Sequence, residues 1–119
     1  IEYTHIMENV IYNELRKRGY GVDVGIVESF KRDENGKLQR RNLEIDFVVN
    51  RHDERLYIQS AFALPDKEKV DQEQASLLNV NDGFRKLIIV GDRYHSGYNE
   101  EGILMMSLSD FLLGKGSKE

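Results

Sequence analysis

Leu43-Glu44-Ile45-Asp46-Phe47-Val48-Val49, a turn over residues 50–54, and then Arg55-Leu56-Tyr57-Ile58-Gln59-Ser60-Ala61-Phe62-Ala63-Leu64 are the stretch on which the fold turns. Both runs are rich in β-branched and aromatic residues and show the two-residue period of a strand. Side chains alternate along a strand. Glu44, Asp46 and Val48 are therefore expected on one face and Ile45, Phe47 and Val49 on the other. In the next strand Tyr57, Gln59 and Ala61 are expected opposite Ile58, Ser60 and Phe62. If the two strands are neighbours, Asp46 and Gln59 meet near one end of the sheet.

Upstream, residues 20–30 read as another strand, with Val22, Val24 and Ile26 alternating with Asp23 and Gly25. Asp33-Glu34-Asn35-Gly36-Lys37 supplies a hairpin signal in its Asn-Gly pair. Three strands joined by tight turns make an antiparallel meander. Before them, Tyr3, Ile6, Met7, Val10, Ile11 and Leu15 recur at helical spacing and predict a helix over 4–18. Thr4 is read as its N-cap and Gly19 as its C-cap. Glu14 falls near the centre of that apolar stripe, and is read either as reaching a basic partner such as Arg18, one turn on, or as marking a packing site for a further domain of the parent chain.

Downstream, Pro65-Asp66 breaks the strand and opens a helix over about 67–80. The continuous apolar run Leu87-Ile88-Ile89-Val90 predicts a strand buried on both faces. A polar loop over 92–101, a strand near 103–108, a short helix over 110–113 capped by Ser109, and a frayed tail from Gly114 complete the chain. The predicted order is α-β-β-β-α-β-β-α. It implies an α/β (α+β) fold, one domain over 1–119, with a mixed β-sheet flanked by helices.

The 119 residues carry 17 Lys and Arg against 21 Asp and Glu, a net charge of −4. Bulk charge therefore gives no support for a general nucleic-acid binder. The distribution is uneven, because residues 16–41 hold Arg16, Lys17, Arg18, Lys31, Arg32, Lys37, Arg40 and Arg41 against four acids. Arg16, Lys17, Arg18, Arg40 and Arg41 are the candidates for phosphate contact; the plainer reading is a solvated helix end and a charged hairpin. Cysteine is absent, which excludes disulfides, thiol catalysis and zinc–cysteine sites and suits a reducing cytosol, so a cytoplasmic location is expected. No apolar run approaches the roughly 20 residues of a membrane span, and no membrane contact is expected. The chain opens at Ile1 without Met and without a signal-peptide pattern, so it is expected to be a piece of a longer protein.

Glu8 sits on the first helix beside its apolar stripe and can point to the strand end that carries Asp46 and Gln59. Two carboxylates and an amide oxygen are ligands that Mg2+ accepts. A helical Glu, an Asp in one strand and (Asp/Glu)-x-Lys in the next, on such a core, is the pattern of the PD-(D/E)XK nuclease superfamily. Glu8-Asn9-Val10-Ile11-Tyr12-Asn13-Glu14-Leu15 with Arg18-Gly19-Tyr20, then Glu44-Ile45-Asp46-Phe47-Val48 and Tyr57-Ile58-Gln59, more closely resembles a nuclease-like C-terminal domain. That domain is attached to bacterial and archaeal AAA-type ATPases and was long described only as a domain of unknown function. The resemblance covers nearly the whole chain. It implies a restriction-endonuclease-like core, Glu8, Asp46 and Gln59 as the catalytic positions, and Glu8 and Asp46 as metal ligands.

The departures carry as much weight. The superfamily motif places an acid at 59 and a lysine at 61, where this chain has Gln59 and Ala61. The resemblance implies that the acids hold a metal and that the lysine positions or activates water. Gln59 offers one neutral oxygen, and Ala61 offers nothing. The expectation is therefore a catalytically degenerate module with no cofactor or a weakly bound Mg2+. It would bind DNA or a partner protein beside an N-terminal ATPase domain of the same parent chain. The alternative is a metal-dependent endonuclease with a lysine relocated from Lys67 or Lys69. Plainer roles exist for each position: Asp46 as a strand-end acid satisfied by backbone amides, Glu8 as a first-turn acid, Gln59 as a buried amide paired across strands. The three histidines lack metal-ligand spacing, and no G-x-x-x-x-G-K-[ST] loop is present, so no ATP site of that kind is expected here.

Overall fold

The structure, a computed structural model, describes residues 3–91 and 93–114. Its elements are α1 (Tyr3–Lys17), β1 (Gly21–Arg32), β2 (Leu38–Arg51), β3 (Glu54–Ala61), α2 (Lys67–Leu78), β4 (Arg85–Val90), β5 (Gly97–Tyr98), β6 (Leu104–Ser107) and α3 (Leu108–Leu112). The strands form one mixed sheet in the order β1-β2-β3-β4-β6-β5. β1, β2 and β3 are the expected antiparallel meander, whereas β3, β4 and β6 run parallel. Two-residue β5 lies inside the segment read from sequence as a loop and pairs antiparallel with β6.

Two apolar clusters cover the two faces of the sheet. On one, Met7, Ile11 and Leu15 of α1 and Phe111 of α3 pack on Phe47, Val49, Ile58, Leu87, Ile89, Leu104 and Met106. On the other, Leu77 of α2 packs with Ile45, Tyr57, Ala61, Ile88, Val90, Ile103 and Met105. The continuous run in β4 is thus divided between both cores, residue by residue. Of the α1 stripe, Met7, Ile11 and Leu15 are buried, whereas Tyr3 and Ile6 stay about half exposed.

The helix ends follow local chemistry. Gly19, at φ +92°, closes α1 with Tyr20 N–H on the Leu15 carbonyl and Gly19 N–H on that of Arg16. Asp66 caps α2 by accepting from Lys69 N–H. Thr4 lies within α1, so it is not the cap. α3 is capped by Ser107, which accepts from Asp110 N–H, and not by Ser109. Glu14 meets Arg18 Nε at 2.7 Å, as the stripe anomaly suggested. In the hairpin, Asp33 accepts from the N–H groups of Lys37 and Asn35 and from Gln39; the Lys37 bond above all holds its carboxyl below the usual range.

The expected alternation fails at one place, and that place positions the site. Asp23 pairs with Val48 and Gly25 with Ile45, so one β1 residue faces two of β2, Asp46 and Phe47. This is a β-bulge. It turns Ile45 into the α2-side core and Phe47 into the α1-side core. Val24 stands opposite it, and Gly25 is required just beyond: a Cβ there would point to the α2 side and stand 2.6 Å from Val48 Cγ2. Odd-numbered residues of β1 thus face α2, and even-numbered ones face α1. No helix among the described residues is long and apolar enough to cross a membrane.

Candidate functional site

β2 and β3 stop pairing at Phe47↔Ile58, just where the bulge begins. Beyond that point the strands splay, and two backbone N–H groups lose their ladder partners. Each is taken by a side chain from the opposite strand. Gln59 Oε1 accepts from Asp46 N–H at 2.7 Å. Asp46 Oδ2 accepts from Ser60 N–H at 2.9 Å and from Ser60 Oγ at 3.1 Å. Gln59 Nε2 then donates to the Glu73 carbonyl of α2 at 3.3 Å. Gln59 and Ser60 are both buried. The result is a reciprocal clasp that closes the splayed end of the meander and ties it to α2, in which an unmade bond would leave a buried polar group unsatisfied.

The carboxylate of Asp46 is turned by the bulge to the side of Ser60 and α1. There it faces Glu8, in the second turn of α1 and not the first. Desolvation, then the negative charge of Asp46, push the Glu8 carboxyl above the usual range, with Glu44 adding to the push and His5 opposing it. His5 Nδ1 stands 3.9 Å from Glu8 Oε1. Tyr3 and Phe62 stack at the rim with ring centroids 5.3 Å apart. Next to them Gly91 donates to the Ala61 carbonyl, and a Cβ there would stand 2.8 Å from Met7 Sδ.

Glu8 lies near enough to Asp46 for its carboxyl to feel that charge, while the amide oxygen of Gln59 is engaged by the Asp46 backbone N–H. Among the described residues no group of three or more His, Asp or Glu side chains is arranged to hold a metal ion. The donor set fits a divalent cation poorly, because the third oxygen is neutral and already engaged. Ala61 is buried in the α2-side core. Lys67 and Lys69 are held on α2 by Asp71 at 3.2 Å and Glu73 at 3.0 Å. Ser60, Tyr3 and Phe62 were not legible as site residues. Ser60 had only its position beside Gln59, and nothing in the sequence couples residue 3 to residue 62.

The basic candidates divide between opposite ends of β1. Arg16, Lys17 and Arg18 lie where α1 meets the start of that strand, whereas Arg41 and Arg40 pair with Ser29 and Phe30 near its far end. At about 3.4 Å per residue the two groups are roughly 25–30 Å apart, so they do not form one patch. Arg18 is spent on Glu14 and the Phe111 carbonyl and lies over the Phe111 ring. Arg40 is 3.3 Å from Glu28. A cleft of about 850 Å³ beside Arg18 gathers Arg51, Arg55 and Arg85 together with Glu14, Asp53 and Glu54 around Leu56, Phe84 and Leu112, and Arg51 stands 3.6 Å from Glu54. Arg51 stacks on Tyr20 and donates to the Arg18 carbonyl. Spacing along the chain gave no hint of this second arginine cluster and its acids.

The chain is similar to an uncharacterised protein of Haemophilus influenzae, with 34% identity over 111 residues. The match covers 93% of this chain and 24% of that protein, so the chain spans about a quarter of the relative's length. No family profile matches the chain, and no solved structure does.

Proposed function

We propose that the chain is a PD-(D/E)XK-like module in which the nuclease centre has become a structural clasp, so that it binds and does not cleave. The observation that carries this reading is the Asp46–Gln59–Ser60 exchange. Both ends of the Gln59 amide and one oxygen of Asp46 are committed to neighbouring groups. A carboxylate at 59 could accept from Asp46 N–H, but it could not donate to the Glu73 carbonyl and would set a second negative charge beside Asp46. Glutamine suits the clasp better than the superfamily's acid does. The resemblance further supports a place as the C-terminal domain of an AAA-type ATPase in the cytoplasm. The relative's fourfold greater length agrees with a parent of several domains. In this reading a partner protein is the main ligand, and the Arg51, Arg55 and Arg85 cleft is where nucleic-acid phosphate would be met.

One observation favours the alternative of residual metal-dependent cleavage: the raised Glu8 carboxyl beside Asp46 marks a pair of acids that a cation would relieve. Two measurements separate the readings. Plasmid and branched DNA incubated with Mg2+ or Mn2+ are expected to stay intact; cleavage that Asp46→Ala abolishes overturns the proposal. In metal-free buffer, Gln59→Ala is expected to lower unfolding stability by about 1–3 kcal/mol, since Asp46 N–H and the Glu73 carbonyl lose their partners. A Gln59→Ala chain as stable as the parent in urea would mean that the clasp holds nothing together.

A further inference from the structure

β1 is an outer edge of the sheet, and its far side pairs with no strand among the described residues. It has twelve residues, whereas the opposite edge, β5, has two. A long edge of unpaired N–H and C=O groups is a template for another strand. On its α1 side, Val24, Ile26 and Phe30 are 62%, 69% and 56% exposed, and apolar surface of this kind marks a contact. On its α2 side, Asp23 and Lys31 are exposed, and neither forms an ion pair among the described residues.

We propose that β1 pairs antiparallel with β1 of a second copy, about a two-fold axis at Val27. The register follows from charge. Asp23 and Lys31 are of opposite sign, share a face, and each lie four residues from Val27. Pairing residue 27 with its own copy sets Asp23 of each chain opposite Lys31 of the other, twice over. It also sets Val24 opposite Phe30 twice, covering apolar surface that the single chain leaves in water. Oppositely charged and aromatic–β-branched pairs directly across an antiparallel ladder are both stabilising. Moving the axis to residue 28 brings Glu28 against Glu28. Moving it to residue 26 sets Asp23 against Ser29 and Lys31 against Gly21, and both ion pairs vanish. Charges on an edge strand ordinarily discourage pairing, but here their placement is self-complementary. The contact is isologous and closes as a dimer.

Sedimentation equilibrium of the 119-residue chain, up to about 100 µM, tests this. A monomer–dimer equilibrium is expected. Asp23→Lys and Lys31→Asp should each weaken it about tenfold, since two attractive pairs become repulsive. The double reversal, Asp23→Lys with Lys31→Asp, should restore it. Both positions are exposed, so circular dichroism is expected to match the parent in every variant. A chain that stays monomeric overturns the proposal and leaves the edge to a strand of another protein. A dimer indifferent to the single reversals overturns the register and, with it, the inference.

Discussion

Strands β3, β4 and β6 and the ribbon formed by β1 and the first half of β2 are parts of one sheet, yet they are built on different terms. Ile58, Leu87, Ile88, Ile89, Val90 and Met106 lie between α1 and α2, and water touches almost none of them. The ribbon runs on past the last β2–β3 pair, with no third strand beside it among the described residues. Ile26, Phe30 and Leu38 remain more than half exposed there. An isolated two-stranded ribbon is marginal in water. The ribbon draws its order from the sheet it grows out of and from a hairpin turn tied by Asp33. Similar residue types therefore carry different weight in the two regions, because what decides is how much apolar surface leaves water.

The largest test of that contrast is a matched pair of truncations. Ile58→Ala is expected to cost about 2–5 kcal/mol in urea unfolding, since its site is closed on every side and leaves a cavity. Ile26→Ala is expected within about 0.5 kcal/mol of the parent. Similar losses for the two would erase the distinction between core and ribbon. Gly25→Ala probes the junction of the two regions. Its methyl would meet Val48 Cγ2 at 2.6 Å, so strand or bulge must shift, at about 1–3 kcal/mol. A neutral outcome in thermal denaturation would show that the bulge is softer than the core it borders.

The smallest effect concerns the acids beside the bulge. The Glu8 carboxyl is raised, first by desolvation and then by Asp46. Its protonated form is favoured by the fold, so its contribution is fully present below the ordinary carboxylate value. That contribution is lost as pH rises through the folded one. Glu8→Gln should therefore raise the melting temperature near neutral pH and leave it unchanged in acid. The gain should stay below about 1 kcal/mol, because the side chain is 35% exposed and screened by solvent. A melting temperature that falls at neutral pH would mean that the charge of Glu8 is wanted there, which a bound cation would explain.

Much of this was legible along the chain. The helix over α1, the antiparallel meander, the start of α2 after Pro65-Asp66 and the doubly buried β4 all rest on interactions within a few residues or on a single period. So did the Glu14–Arg18 pair, one helical turn apart. β5 was not legible, because two exposed residues, Gly97 and Tyr98, have no period to read. The extent of the ribbon was not legible either, since only the length of the neighbouring strand determines where β2 loses its partner. The plain alternative for Gln59, an amide paired across strands, is the contact observed; Asp46 does accept from a backbone amide, that of Ser60, but from inside β2 and not from a strand end.

From its order of residues alone, the protein was bound to place Asp46 in one strand, Gln59 in the next and Glu8 on the helix before them. Those positions depend on local pattern and on which elements are consecutive. Which way each side chain points was decided by tertiary structure. One extra residue in β2 against β1 shifts the two-residue alternation at Asp46. That shift sends its carboxylate to the Ser60 and α1 side, while Gln59 turns to backbone groups and α2. A register mismatch belongs to a pair of strands and to neither strand alone, so no reading of one stretch could contain it.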